Sequence, residues 1–205
     1  MNNLFENLTG LVQGDTAKNI AKQFSLGEDA VQKVMAMGLP MILGGLNKNV
    51  TNEQGAKNLD TALEKHDGSL LDNIGSLFNG GDVSNLLKDG SGILGHVLGG
   101  TQQNAQNQIS KTLGLDANTV GNILSVAAPL IMNFLGQQKK QNNLDANGVA
   151  EVINNTTKQA PEQEMGLIQK FLDRDGDGNV LDDVVDIGSQ LFSSFFGDKK
   201  KEENK

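Results

Sequence analysis

Ile20-Ala-Lys-Gln-Phe24-Ser-Leu26 returns later in the chain as Ile109-Ser-Lys-Thr-Leu113-Gly-Leu115, an offset of 89 residues. The same offset, without a gap, lays Val31 on Val120, Val34 on Ile123, Pro40 on Pro129, Ile42 on Ile131 and Leu46 on Leu135. It also extends backward, placing Leu4, Phe5, Leu8 and Gly10 on Ile93, Leu94, Val97 and Gly99. A register shared over so long a stretch predicts two copies of one helical unit, an internally duplicated domain rather than an extended solenoid.

Within a unit the apolar spacing is helical. Ala17, Ile20, Ala21 and Phe24 follow i, i+3, i+4, i+7, with Asp15 as the expected N-cap. Glu28 and Asp29 put acids in the first turn of the next helix, and Val31, Val34 and Met35 form its buried stripe. Pro40 suits the first turn of a third helix, where its missing N–H costs nothing. Gly44-Gly45 within that helix allow close helix contact, and Leu59, Leu63, Val149, Val152 and Ile153 predict one more helix per unit. The polar tracts 99–108 and 137–143 read as surface connections. No alternating pattern of useful length argues for a strand, so the fold class is all-α, a compact bundle of short helices. The expected division is a first repeat over 1–92, a second over 93–172, an acidic loop with an amphipathic helix over 173–197, and a charged, disordered tail over 198–205.

The second informative stretch is Asp173-Arg-Asp175-Gly-Asp177-Gly178-Asn179-Val180-Leu181-Asp182-Asp183. Alternating side chains in a tight loop can converge their oxygens on one point, and Ca²⁺ takes six to eight oxygen ligands. Asp173, Asp175 and Asp177 are candidate side-chain ligands, Gly178 supplies the sharp turn, and Asn179 can offer its backbone carbonyl. The match to the calcium loop of EF-hands is good in its first half and faulty in its second, because position twelve is Val184 in place of Glu. Asp182, Asp183 or, one turn later, Asp186 must close the shell, and Ca²⁺ is preferred to Mg²⁺ on ligand count alone. The competing reading is an acidic turn capping the next helix at its positive end. Asp175-Gly-Asp177-Gly178 also resembles Asp89-Gly-Ser91-Gly92, which suggests that a partial third copy begins here, at a repeat junction.

These residues resemble the YidB-like family of bacterial proteins, domain-of-unknown-function family 937. The resemblance is carried by Gly92-Ile-Leu-Gly95-His96-Val-Leu-Gly99, by 109–115, by Ala127-Ala-Pro129-Leu-Ile and by the acidic stretch 172–183. It implies an all-α bundle and brings no activity with it. The first copy departs from the pattern, with Glu6-Asn7 where the second has Gly95-His96, so His96 is not a duplicated functional residue.

Composition narrows the remaining functions. Among 205 residues there is no Cys, Trp or Tyr, so the core must be aliphatic with Phe and Met, and disulfides and thiolate chemistry are excluded. A net charge of −8 and a single arginine, Arg174, argue against a nucleic-acid partner. Residues 20–38 could be taken for a helix-turn-helix, but its second helix would open on Glu28 and Asp29, repelling phosphates where they should be held. His96, between Leu94 and Val97, is expected to be structural, with Asp89 the nearest acid. His66 is expected at a helix C-terminus, where a partly charged imidazole favours the dipole. There is no P-loop, dinucleotide fingerprint or His pair at metal spacing, and no enzymatic chemistry is expected. The start of the sequence lacks the features of a signal peptide, and the apolar run 123–135 is short and interrupted by Pro129, so a cytoplasmic protein without a membrane span is expected.

Two hypotheses follow. In the first, one Ca²⁺ ion orders the C-terminal helix on a duplicated bundle. In the second, residues 180–196 form a self-associating or partner-binding element, with stripes Val180, Val184, Ile187, Leu191, Phe195 and Leu181, Val185, Phe192, Phe196. Weak contact of this helix with a membrane surface remains open, since its polar face is acidic but Lys199, Lys200 and Lys201 follow it.

Overall fold

A computed structural model describes residues 4–78, 83–160 and 166. The described residues form α1 (Leu4–Leu11), α2 (Gly14–Gln23), α3 (Glu28–Asn49), α4 (Glu53–Glu64), the short α5 (Ser69–Asp72) and α6 (Ile74–Phe78), α7 (Ser84–Leu98), a 3₁₀ turn (Gly99–Thr101), α8 (Gln102–Leu113), α9 (Ala117–Asn142) and α10 (Ala146–Lys158). Among them there is no strand, and the class is all-α.

Two helices organise the rest. α3 and α9 are apolar nearly all round, and such a helix belongs in the centre. α3 buries every residue from Gly38 to Leu46, and α9 every residue from Ile123 to Asn133. α7, α8, α4 and α5 pack on α9, while α2, α8 and α10 pack on α3. One core results, running from Phe5 and Leu8 in α1 to Val149 and Ile153 in α10. It is aliphatic, with Met35, Met41 and Met132 among its buried side chains. α9 is long and apolar enough to cross a membrane by length and composition, yet 78% of its most apolar window is buried in the bundle. That is the behaviour of a core helix.

The ends of the helices are written in their caps. Asp116 accepts from the Asn118 and Thr119 amides at the start of α9, and Asn52 and Asp145 do the same for Gly55 and Gly148 in α4 and α10. α8 and α9 stop at Gly114 and Asn143, both left-handed. The expected cap at Asp15 is corrected: Gln13 is the N-cap of α2, and Asp15 lies in the first turn, where its charge still suits the helix dipole.

Three further expectations change. Pro40 does not open a helix; it lies inside the 22-residue α3, as Pro129 lies inside α9. The apolar run on both sides of each proline buries as one rod, which outweighs the lost hydrogen bond. The freed carbonyl differs in the two cases. Ala36, four residues before Pro40, is exposed to water, whereas Ser125, four before Pro129, is buried. At Ser125 the backbone of Gly90 in α7 comes so close that any Cβ there would collide with the carbonyl, and a Cα–H···O contact replaces the missing donor.

The polar tracts are also helical rather than connecting. Residues 102–108 belong to α8, which buries Ala105 and Ile109, and residues 137–142 continue α9. Gln and Lys are good helix formers, so polarity there marks a solvated helix face. Finally, Asp89-Gly-Ser91-Gly92 is not a junction but the middle of α7, so residues 92 and 93 fall within one helix.

Some helix bounds fall at the 89-residue offset and others do not. α9 begins at 117 where α3 begins at 28, and α8 (102–113) overlies α2 (14–23) to within a residue at each end. α10 begins at 146 against 53 for α4, a longer offset. The anticipated close contact at Gly44-Gly45 is found at Gly45, where a Cβ would stand 2.7 Å from the Val97 carbonyl oxygen of α7. Asn49, at the end of α3, ties the same place by donating to the His96 and Val97 carbonyls at 3.3 and 3.2 Å.

Candidate functional site

The six predicted metal ligands, Asp173, Asp175, Asp177, Asn179, Asp182 and Asp183, lie outside the described residues, as do Asp186, the stripes of 180–196 and the partial third copy. Among the described residues no three of His, Asp and Glu come together in a way that could hold a metal ion. The chemistry-bearing groups that are described gather at three places.

The first is the turn between α4 and α5. Lys65 caps α4, and the His66 ring follows at the C-terminal end, as expected. Its Nδ1–H donates to the Ala62 carbonyl at 2.9 Å, and Nε2 lies 3.3 Å from Asp89 Oδ2 of α7. With 13% of its side chain exposed and an acceptor at each nitrogen, His66 bolts this turn to α7. Asp89 is therefore engaged by His66 and not by His96. His96 itself is exposed on α7 while its neighbours Leu94 and Val97 turn inward, so it is a surface residue, not a core one.

Next in this turn, the Asp67 carboxylate accepts from the Ser69 amide at 3.1 Å. Hydrogen bonds from the Ser69 side chain and backbone hold the Asp67 carboxyl below the usual carboxylate range. Gly68, left-handed at φ 97, donates its N–H to the buried Asn133 Oδ1 of α9 at 3.2 Å. Asn133 Nδ2 donates in turn to the Pro129 carbonyl at 2.9 Å.

The second and third places are two seams between a central helix and the peripheral helix beside it. In the seam of α9 with α4, Lys139 Nζ stands 2.8 Å from Asp60 Oδ1, donates to the Asp60 carbonyl at 3.1 Å, and lies 3.8 Å from Glu64 Oε1. Lys139 and Asp60 are both largely buried, and Asp60 Oδ1, though ion-paired, is a buried oxygen without a hydrogen-bond partner. In the seam of α3 with α10, the position offset by 89 from Lys139 is Val50, too short to reach across. A groove of about 340 Å³ is left, walled by Asn47, Val50 and Thr51 on one side and by Ala150, Asn154 and Asn155 on the other. Glu151 and Lys158 stand on the α10 wall. The Asn154 Oδ1 atom is buried and has no hydrogen-bond partner, a costly state for a polar atom away from water.

Sequence reasoning passed over the groove residues. Most are ordinary polar residues, joined by Val50 and Ala150, and only the tertiary meeting of the end of α3 with α10 brings them together.

Residues 6–138 match the model of a family described as a bacterial protein of unknown function, DUF937. The chain belongs to that family. No curated protein and no solved structure matches it. The family match of this DUF937 chain takes in α1 to α8 and most of α9. Asn47, Val50 and Thr51 of the groove are within the matched span, whereas the α10 wall and the acidic stretch 173–183 lie beyond it.

Proposed function

We propose that this DUF937 chain is a non-enzymatic helical protein that binds one Ca²⁺ ion at residues 173–183, and that the ion fixes the following helix, 180–196, on the bundle. The observation that carries this reading is the alternation Asp173, Asp175, Asp177 followed by Gly178: three carboxylates at the spacing that converges oxygens, with the turn residue in sixth place. Asn179 supplies a carbonyl, and Asp182 or Asp183 completes the shell. With Val184 at position twelve, affinity falls below that of a sensor EF-hand. The engagement of both His66 nitrogens supports a structural role for the histidine that is most buried. The cytoplasmic setting expected from the sequence belongs to the same proposal.

Since the metal binds the ordered loop and not the unfolded chain, saturating Ca²⁺ raises the melting temperature, and Mg²⁺ raises it less. An unchanged melting temperature at millimolar Ca²⁺ contradicts the proposal. A second reading, favoured by the Phe-rich stripes of 180–196, is a self-associating scaffold whose acidic loop is only a helix cap. Light scattering on the full chain and on a chain ending at Asp177 separates the two: association lost on truncation, with no response to Ca²⁺, selects the scaffold.

A further inference from the structure

Leu86-Leu87-Lys-Asp-Gly90-Ser91-Gly-Ile93-Leu94-Gly-His-Val97-Leu98-Gly99, the greater part of α7, is matched without a gap near the C-terminus. The partner stretch is Val184-Val185-Asp-Ile-Gly188-Ser189-Gln-Leu191-Phe192-Ser-Ser-Phe195-Phe196-Gly197, at an offset of 98 residues. Gly90, Ser91 and Gly99 are matched by identical residues, and each apolar residue in this part of α7 falls on an apolar one. The main departure is Ile187, set against Asp89. This register differs from the one that pairs Asp175 with Asp89. The buried face of α7 is Leu86, Gly90, Leu94, Val97 and Leu98, and the whole of that face is kept in 184–196, with Phe in its second half.

Gly90 shows what such a face does. It lies against the Ser125 carbonyl of α9, whose helical donor is lost at Pro129, so closely that a Cβ would collide with it. α3 has the same opening without the cover. Ala36, four residues before Pro40 and 89 before Ser125, is exposed, and Met37 beside it is half-buried where Val126 is wholly buried. α1, whose register matches the end of α7, packs instead on α2, α9 and α10. We propose that residues 184–197 of the same chain dock on this face of α3, with Gly188 over the Ala36 carbonyl as Gly90 lies over that of Ser125. The tether is long enough. Val184 lies 24 positions beyond Ala160, and even a fully helical tether of that length spans about 36 Å, more than the 22-residue α3. This docking rests on the calcium reading for the ordering of the helix, and adds the face that receives it.

The chain has no cysteine, so a single introduced thiol reports on position. The experiment attaches a nitroxide at Ser189→Cys, beside Gly188, in the ¹⁵N-labelled full chain with saturating Ca²⁺. Paramagnetic broadening should centre on the amides of 33–39 and vanish when the nitroxide is reduced. Gly188→Leu adds a side chain at the crossing, and Ala36→Gln adds one at an exposed helical position that tolerates it. Each should return the amides of 33–39 to the level of the reduced sample. Helical circular dichroism with a cooperative melt certifies each variant, and if one does not fold the other decides. A mixture of ¹⁵N-labelled chain without nitroxide and unlabelled chain bearing it should show no broadening at 33–39. Broadening that is absent, centred elsewhere, present in the mixture (docking on a second copy) or unchanged in a folded variant overturns the proposal. Calcium calorimetry on the same chain keeps the two readings apart. Binding heat without broadening at 33–39 overturns the docking and leaves the calcium site, whereas broadening there without binding heat sustains the docking and overturns the calcium site.

Discussion

Asn133 is the residue on which one corner of the fold turns. Buried in the middle of α9, it accepts from the Gly68 amide of the α4–α5 turn and donates to the Pro129 carbonyl one turn back. Asn133→Ala leaves the Gly68 N–H buried without an acceptor and should cost about 1–3 kcal/mol, read as a lower midpoint in urea with an unchanged slope. A few residues away, Asp67 makes a prediction about pH. Its carboxyl is held below its ordinary 3.8 by the Ser69 hydrogen bonds. A group whose folded pKa is depressed stabilises the fold above its unfolded pKa and loses that effect as pH falls through the folded value. Asp67→Ala should therefore be less stable than the parent at pH 7, with the two converging as pH drops below 3.8. A gap that persists at still lower pH would show the effect to be packing rather than charge. The helix-end position of His66 was legible from its setting, Lys65-His66-Asp67-Gly68. Its partner Asp89, 23 residues on, was not, because the contact depends on how α7 crosses the turn.

At the scale of the elements, periodicity located the helices well and their boundaries less well. The stripes Ala17–Ile20–Ala21 and Val31–Val34–Met35 are the buried faces of α2 and α3. Pro40 misled because proline's usual position in a first turn reflects a local cost, whereas its tolerance here is set by burial along the whole of α3. The polar tracts misled for the opposite reason: they look like loops by polarity, but their Gln and Lys carry helix propensity and they cover the solvated sides of α8 and α9. The seams between helices were not legible at all. The α4–α9 seam gives the test that belongs here. Lys139→Met removes the only cation described beside a largely buried Asp60. It should destabilise by about 1–2 kcal/mol, between the values for exposed and buried pairs. Adding Asp60→Asn should restore part of that loss. If the double variant is no better than the sum of the single changes, the seam is held by packing and not by charge.

For the whole molecule, helical spacing without strand alternation anticipated the all-α class, and a composition without Trp or Tyr anticipated its aliphatic core. The arrangement of the peripheral helices was beyond the reach of either. α4 follows α3 in the chain but packs on α9 and α10, and α10 follows α9 but packs on α3 and α4. The halves thus interlock, and the boundary at 92/93 falls inside α7. Such exchange comes from the competition of several apolar faces for one core, which no single stripe reveals. The acidic stretch 173–183 lies outside the described residues and is read from its sequence chemistry alone, so the account of function is tested most directly there. Calcium calorimetry on the intact chain, beside Asp175→Asn with Asp177→Asn, should give one saturable site in the parent and none in the variant. The absence of binding heat in the parent, or a site that survives in the variant, would contradict calcium binding at residues 173–183.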